Sequence, residues 1–255
     1  MTAAVRPLVY WTFVAIAAVA CALGCARARA RPGPWRAVAA RAIGTALAVD
    51  AVSWVVALVV NGTFSSATSL PLALCNMAVL VAAAACWWRT PALVELTYFW
   101  GLAGTLQAVV TPDLNVDFPH LVFFQYVVGH VGIVAAAVFL VVGMGITPRP
   151  GSAGRTIAIT AGYTAAVGLV DALSGANYMF LRHPPGRATL LSVLGPWPWY
   201  VLSAAGVGVA LILALDAPFR FDRRRRGATA PGTIVAPGVE PRSVDAVGAH
   251  GRRVG

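Results

Sequence analysis

The sequence predicts an all-α integral membrane protein with seven transmembrane helices, the N-terminus outside the cell and the C-terminus in the cytoplasm. Seven long apolar runs follow one another along the 255 residues. Only 11% of the residues are charged, whereas soluble domains carry roughly 25%, so the chain has too little charge to cover a water-soluble surface. Arginines also collect on one side of the predicted helices, as a membrane topology signal requires.

The first apolar run, residues 8–26, differs from a secretory signal peptide in its flanking charges. Only Arg6 precedes the run, whereas Arg27, Arg29, Arg31, Arg36 and Arg41 follow it. A signal peptide has its basic residues before the apolar region. We therefore expect a true first helix whose C-terminal end lies in the cytoplasm.

Six further runs each have enough residues to cross a hydrocarbon core of ~30 Å, which needs about 20 helical residues. They are residues 42–60, 70–88, 92–110, 121–143, 156–174 and 198–215. Arginines near the membrane number 13 on the side of the first loop and 3 on the opposite side. This bias places the first loop and the C-terminus inside, and we expect a multi-pass protein of the cell membrane.

The composition changes after the last apolar run. Residues 221–255 are rich in Ala, Gly, Pro, Val and Arg without helical or strand periodicity, which is typical of a disordered segment. The sequence therefore predicts a transmembrane domain over residues 1–220 and a disordered basic tail over residues 221–255. We expect the arginines at 223–226 to anchor the last helix, and contact with anionic headgroups is the alternative.

Several function classes are excluded or disfavoured by what the sequence lacks. All 19 basic residues are Arg, so no lysine Schiff base, including a retinal linkage, can form. The net charge of +10 lies between and after the apolar runs, and no basic face is interleaved with aromatic residues, so nucleic acid is not an expected partner. The cysteines show no zinc spacing, and HExxH, GxSxG and P-loop motifs do not occur. We expect neither a metal nor a cofactor.

Ionisable and amide side chains inside apolar runs are costly in lipid and therefore mark candidate functional positions. Counting residues from the predicted helix ends places most of them in the outer half of the membrane, with His130 near the midplane. This distribution predicts a polar pocket open to the outside or to the outer leaflet. The candidates are Asp50, Asn76, Glu95, Gln107, Gln125, His130 and Asp171, together with Cys75 as a possible nucleophile.

Two further groups of side chains accompany this predicted pocket. Tyr126 lies four residues before His130 and shares its helix face. The outer segment 175–199 carries Asn177, Tyr178 and Arg182, of which Arg182 could hold a headgroup phosphate. Trp and Tyr at the end of that segment are also typical of an interfacial aromatic belt.

A cysteine nucleophile needs a base that generates the thiolate. The predicted depths of Cys75 and His130 differ by roughly 7 Å along the membrane normal, which helix tilt could close. From spacing alone, a small apolar cysteine and a hydrogen-bonded structural histidine are the alternative.

Several stretches resemble the YwaF-like family of bacterial integral membrane proteins, whose animal relative is a transmembrane acyltransferase that remodels ether phospholipids. They are residues 70–78 (LPLALCNMA), 95–114 (ELTYFWGLAGTLQAVVTPDL), 118–119 (FP), 123–134 (FFQYVVGHVGIV), 175–185 (GANYMFLRHPP) and 194–200 (LGPWPWY). Together they cover roughly residues 70–220.

The resemblance implies a phospholipid acyltransferase that uses a thioester on Cys75 with His130 as the base, a membrane lipid as substrate and no cofactor. Members often have a histidine two residues before the cysteine, where this chain has Ala73. A non-enzymatic membrane protein that binds or transports a lipid or small solute is the alternative. In either case the residues expected to contact the ligand are Asn76, Gln107, Gln125, Tyr126, Asp171, Asn177, Tyr178 and Arg182.

Overall fold

A computed structural model describes residues 5–112, 114, 116–184 and 193–228, and only the backbone of residues 5, 6 and 226–228. All regular secondary structure in these ranges is helical. The first three helices are α1 (Val5–Ala30), α2 (Trp35–Val60) and α3 (Leu74–Trp88). Next, α4 (Pro91–Phe99) passes through a π-helical turn (Trp100–Thr105) into α5 (Leu106–Val110). The helix α6 (Leu121–Val138) ends in a second π-helical turn (Phe139–Gly143), and α7 (Ser152–Ser174), a 3-10 turn (Tyr178–Phe180) and α8 (Trp199–Ala228) follow.

Each of the seven predicted apolar runs coincides with a helical segment, but the segments differ in length. Among the described residues, 6 helices are long and apolar enough to cross a membrane. The other segment, α3, has 15 residues, which corresponds to about 22 Å. The run was expected to be helical from residue 70, but Pro71 disfavours helical geometry in the preceding residue and α3 begins only at Leu74. The count of seven spans and the orientation of the termini stay predictions.

The last helix extends further than the sequence predicts. It continues to Ala228, so the expected boundary at residue 220 falls inside α8. Arg220 lies four residues after Asp216 and forms an ion pair with its carboxylate, and Arg223 reaches the same carboxylate at 3.5 Å. Such pairs stabilise the helical turns that contain them. The remainder of the predicted tail lies outside the described residues.

The core of the bundle is built around α3, which packs against α2, α4 and α6. Its buried face consists of small residues, including Ala78, Ala82, Ala85 and Cys86. Gly44 of α2 lies directly against this face. Small residues let helices approach closely, and close van der Waals packing drives helix association in lipid.

The outward faces of the helices are apolar, as expected for contact with lipid chains. Leu23, Val60 and Leu173 are 65%, 77% and 80% exposed. Contiguous apolar surface of this kind is rare on soluble monomers. The exposure of these apolar side chains therefore agrees with the membrane environment inferred from composition.

Glu95, a candidate functional residue in the sequence, is a buried carboxylate that forms ion pairs with two half-exposed arginines. Its side chain is 4% exposed and accepts hydrogen bonds from Arg149 Nε at 2.8 Å and from an Arg155 terminal nitrogen at 3.1 Å. The cluster joins α4 to the α6–α7 loop and to α7. Removing one partner from such a cluster leaves the others uncompensated, so the role that its contacts support is structural.

Candidate functional site

A cavity of about 590 Å³ lies between α2, α3 and α6. Its volume falls within the range of small-molecule sites, which are mostly apolar with a few polar groups. The walls carry Trp54, Val55, Val79 and Leu80 among other apolar residues. Among the candidate residues from the sequence, the cavity lining includes Cys75, Asn76, Gln125, Tyr126 and His130.

Cys75 occupies the first turn of α3. The N-cap residue, Ala73, has an extended backbone and no side chain that caps the helix. The first N–H groups of a helix have no partner within the helix, and they favour negative charge. The Cys75 thiol is thus placed in the first turn of a helix, where the backbone partial charge favours an anion.

His130 is held in a defined orientation on α6. Its Nδ1 lies 2.9 Å from the Tyr126 carbonyl oxygen, and its ring stacks on the Tyr126 ring with centroids 4.2 Å apart. Because a carbonyl oxygen only accepts hydrogen bonds, Nδ1 must carry the proton. The neutral ring then has its lone pair on Nε2, which is the arrangement that a general base needs.

Gln125 connects the cavity wall of α6 to α2. Its Nε2 donates to Ser53 Oγ at 2.8 Å, and Ser53 Oγ itself donates to the Asp50 carbonyl oxygen at 2.8 Å. Since the single hydroxyl proton of Ser53 is used, its oxygen accepts from Gln125, which fixes the orientation of the amide. One of the two Gln125 amide N–H groups is therefore used in the contact between α6 and α2.

Asn76 is the other lining amide and lies directly after the thiol-bearing residue. Gln107, by contrast, is exposed on α5 and is not among the described residues that line the cavity. Asn76 is thus the cavity-lining amide nearest to Cys75 along the chain.

Asp50, a candidate functional position in the sequence, also lines the cavity. Its carboxylate lies across Gly129, where an added Cβ would be 3.1 Å from Asp50 Oδ2. Of the described residues that line the cavity, Asp50 alone carries a formal charge when His130 is neutral. An acidic residue inside an apolar helix was the available signal, but depth counting does not show which helix face it occupies.

The outer candidates Asp171, Asn177, Tyr178 and Arg182 lie together in a separate network. Asp171 Oδ1 accepts a hydrogen bond from the Tyr178 backbone N–H at 2.9 Å. Asn177 Oδ1 accepts from the Arg182 N–H at 2.9 Å, and the Arg182 guanidinium donates to the carbonyls of Asp171 and Ala176. These contacts organise the loop after α7, and none of the four belongs to the described cavity lining. Their predicted contacts with a substrate stay predictions.

The described residues contain no group of three or more His, Cys, Asp or Glu side chains that could hold a metal ion. The cavity lining combines a thiol, an imidazole, a carboxylate, a phenol and two amides with apolar walls, from Cys75, His130, Asp50, Tyr126, Asn76 and Gln125.

A family model described as the TMEM164 family matches residues 2–216, which include the whole cavity. No curated protein and no solved structure matches the chain.

Proposed function

Since the chain belongs to the TMEM164 family of membrane proteins, we propose that it transfers an acyl group between membrane lipids through a thioester on Cys75. The observation that carries this proposal is that Cys75 and His130 line the same apolar cavity. A thiol at a helix N-terminus and a correctly protonated imidazole are the two groups that thioester chemistry needs. The resemblance of the surrounding sequence to lipid acyltransferases supports the same chemistry.

The first half of the reaction forms the thioester. His130 Nε2 takes the proton of the Cys75 thiol, and the sulfur attacks the ester carbonyl carbon of a donor lipid. The carbon–oxygen ester bond breaks, and His130 returns its proton to the departing alkoxide. The products are a lysolipid with a free hydroxyl and an acyl group bound to Cys75.

The second half transfers the acyl group to an acceptor. A hydroxyl of the acceptor lipid gives its proton to His130, and its oxygen attacks the thioester carbonyl. The carbon–sulfur bond breaks, the new ester leaves, and the thiolate regains the proton from His130. Atoms balance over the two halves, and no cofactor is consumed.

Both tetrahedral intermediates carry a negative oxygen that requires hydrogen-bond donors. The Asn76 side-chain amide, which lines the same cavity as Cys75, and the first N–H groups of α3 would supply them. The Asp50 carboxylate would stabilise the positive charge that His130 acquires during proton transfer. The apolar walls would hold acyl chains, which makes a membrane lipid the substrate class.

The proposal is tested by following transfer of an acyl label from phosphatidylcholine to the purified protein in lipid nanodiscs. We expect a hydroxylamine-sensitive label on Cys75, its loss in Cys75→Ala, and a decrease of about 10² to 10⁴ in labelling rate in His130→Gln. Cys21→Ala is the matched control, because Cys21 is also a partly buried membrane thiol. A label that persists in Cys75→Ala would refute the mechanism.

A binding or transport role is the second candidate. The Asp50 carboxylate in the cavity lining, for which the described residues show no ion pair, favours it. An intramembrane carboxylate is typical of ion and proton pathways. A carrier needs the volume and polarity of the cavity but no nucleophile. Retained ligand binding or transport in Cys75→Ala, together with no acyl labelling of the wild type, would establish this alternative.

A further inference from the structure

The segment that leads into Cys75 is fixed by two tyrosine hydroxyls. Residues 61–73 connect α2 to α3. The Tyr178 hydroxyl donates to the Ser66 carbonyl at 2.8 Å and accepts from the Leu70 N–H at 3.0 Å. The Tyr163 hydroxyl donates to the Leu72 carbonyl at 2.9 Å. Three hydrogen bonds therefore tie this connection to a different part of the molecule.

Both tyrosines are themselves anchored to α7. Tyr163 is a residue of that helix, and its ring lies 6.0 Å from the Trp100 ring, centroid to centroid. Tyr178 is 6% exposed and packs with Val167 of α7 and with Ala176. The chain reverses after α7 at Gly175, which has a φ of 74°, a conformation that favours glycine at a helix end. Packing contacts with α7 and its neighbours thus hold both tyrosine rings in place.

The position of Leu72 determines where α3 begins. Only Ala73, the N-cap residue, and Leu74 separate Leu72 from Cys75, so movement of the connection shifts the first turn and its thiol. A misplacement of 1 Å at a reacting centre can lower a rate by about 10². Hydroxyl contacts that fix Leu72 and Leu70 therefore control the alignment of the thiol with His130.

We propose that Tyr163 and Tyr178 are positioning residues for Cys75, acting through the α2–α3 connection. The role rests on the proposed acyl transfer, but the anchoring of the connection does not depend on it. It differs from the contact with substrate that the sequence predicts for Tyr178. The network of Asp171 and Asn177 then serves to build the loop that presents this hydroxyl.

The test uses Tyr163→Phe, Tyr178→Phe and the double variant in the full chain, which remove hydroxyls and keep the rings. Tyr98→Phe is the matched control, because the Tyr98 hydroxyl also donates to a backbone carbonyl, that of Leu215, away from the connection. Acylation of Cys75 from phosphatidylcholine and its alkylation by iodoacetamide are measured side by side. Peptide mass spectrometry separates Cys75 from the other cysteines.

We expect acylation to fall about tenfold in each single variant and about 10² in the double variant, while iodoacetamide reacts faster with the loosened thiol. Acylation equal to that of Tyr98→Phe would overturn the proposal. A parallel loss of acylation, alkylation and thermal stability would also overturn it, because that result indicates a general structural defect.

If the wild type takes no acyl group, the proposed function fails and the positioning of Cys75 is judged by alkylation alone. A rise of about tenfold in the alkylation rate of the double variant, absent in Tyr98→Phe, would then support anchoring of the connection. An unchanged rate would overturn it.

Discussion

The close packing of α2 on α3 gives the sharpest test of the fold, because Gly44 leaves no room for a side chain. A Cβ added at residue 44 would lie 2.8 Å from Cys86 Cβ, 2.9 Å from the Ala83 carbonyl oxygen and 2.9 Å from Trp87 Cδ1. Carbon atoms in contact prefer roughly 3.5–4.0 Å. Gly44→Ala therefore forces the two helices apart by about 1 Å, since the backbone oxygen and a Cβ cannot rotate away.

The magnitude follows from two opposing effects. Overpacking of this kind costs about 1–3 kcal/mol, whereas replacing a helical glycine by alanine gains about 1 kcal/mol. Gly162→Ala on α7 is the matched control, because an added Cβ there meets nothing within 4 Å. This variant should therefore show only the stabilisation that comes from replacing a helical glycine by alanine. The free energy of unfolding of the two variants should differ by about 1–3 kcal/mol, with Gly44→Ala the less stable.

Denaturation in mixed micelles of a mild detergent and dodecyl sulfate, followed by circular dichroism, measures this difference. The unfolding midpoint should increase in Gly162→Ala and should be lower in Gly44→Ala than in Gly162→Ala. Equal midpoints would show that α2 and α3 are not in contact at Gly44, and the described position of α3 and of its thiol would then be incorrect.

Three further predictions concern single contacts. Ala73→Ser adds an N-cap acceptor and should stabilise α3 by about 1 kcal/mol. Acylation of Cys75 should become slower, because the new hydroxyl occupies the N–H groups proposed to bind the oxyanion. Faster acylation would contradict this role of the N–H groups. Glu95→Gln should lower the free energy of unfolding by about 1–3 kcal/mol, because the variant loses charged hydrogen bonds to two half-exposed arginines. An unchanged denaturation midpoint would show that these ion pairs do not stabilise the fold. Ser53→Ala removes the acceptor of Gln125 and should lower the free energy of unfolding by about 0.6–1.7 kcal/mol in the same assay. An unchanged midpoint would contradict the contact between Gln125 and Ser53.

The helical segments were predictable because hydropathy and arginine distribution are local properties of the chain. All seven apolar runs coincide with helical segments. The third run was expected to be helical from residue 70 because the effect of Pro71 was not considered. The tail was expected to begin after residue 220 because the ion pairs of Asp216, which lie in the extended part of α8, were not considered. Both differences come from side-chain effects within a few residues, which average composition does not capture.

The candidate site was predictable in part, because depth can be counted from a sequence but helix facing cannot. Cys75, Asn76 and His130 reach one cavity as their predicted depths allow. Gln107 follows the π-helical turn Trp100–Thr105, which changes the angular register of the helix after it, and it is exposed. Asp50 enters the cavity because Gly129 leaves space for its carboxylate, and that requires knowledge of which helices are neighbours.

The short length of α3 is connected with the chemistry proposed for its first residues. Trp87, Trp88 and Arg89 at its C-terminal end are typical of a membrane interface. A helix of about 22 Å that starts there ends about 8 Å short of the opposite side of a ~30 Å core. Its first N–H groups would then lie inside the apolar layer, where unsatisfied donors cost several kcal/mol. In the proposed mechanism, a thiolate and an oxyanion beside Cys75 would satisfy those donors. The short length of α3 would then place the reacting groups inside the apolar layer.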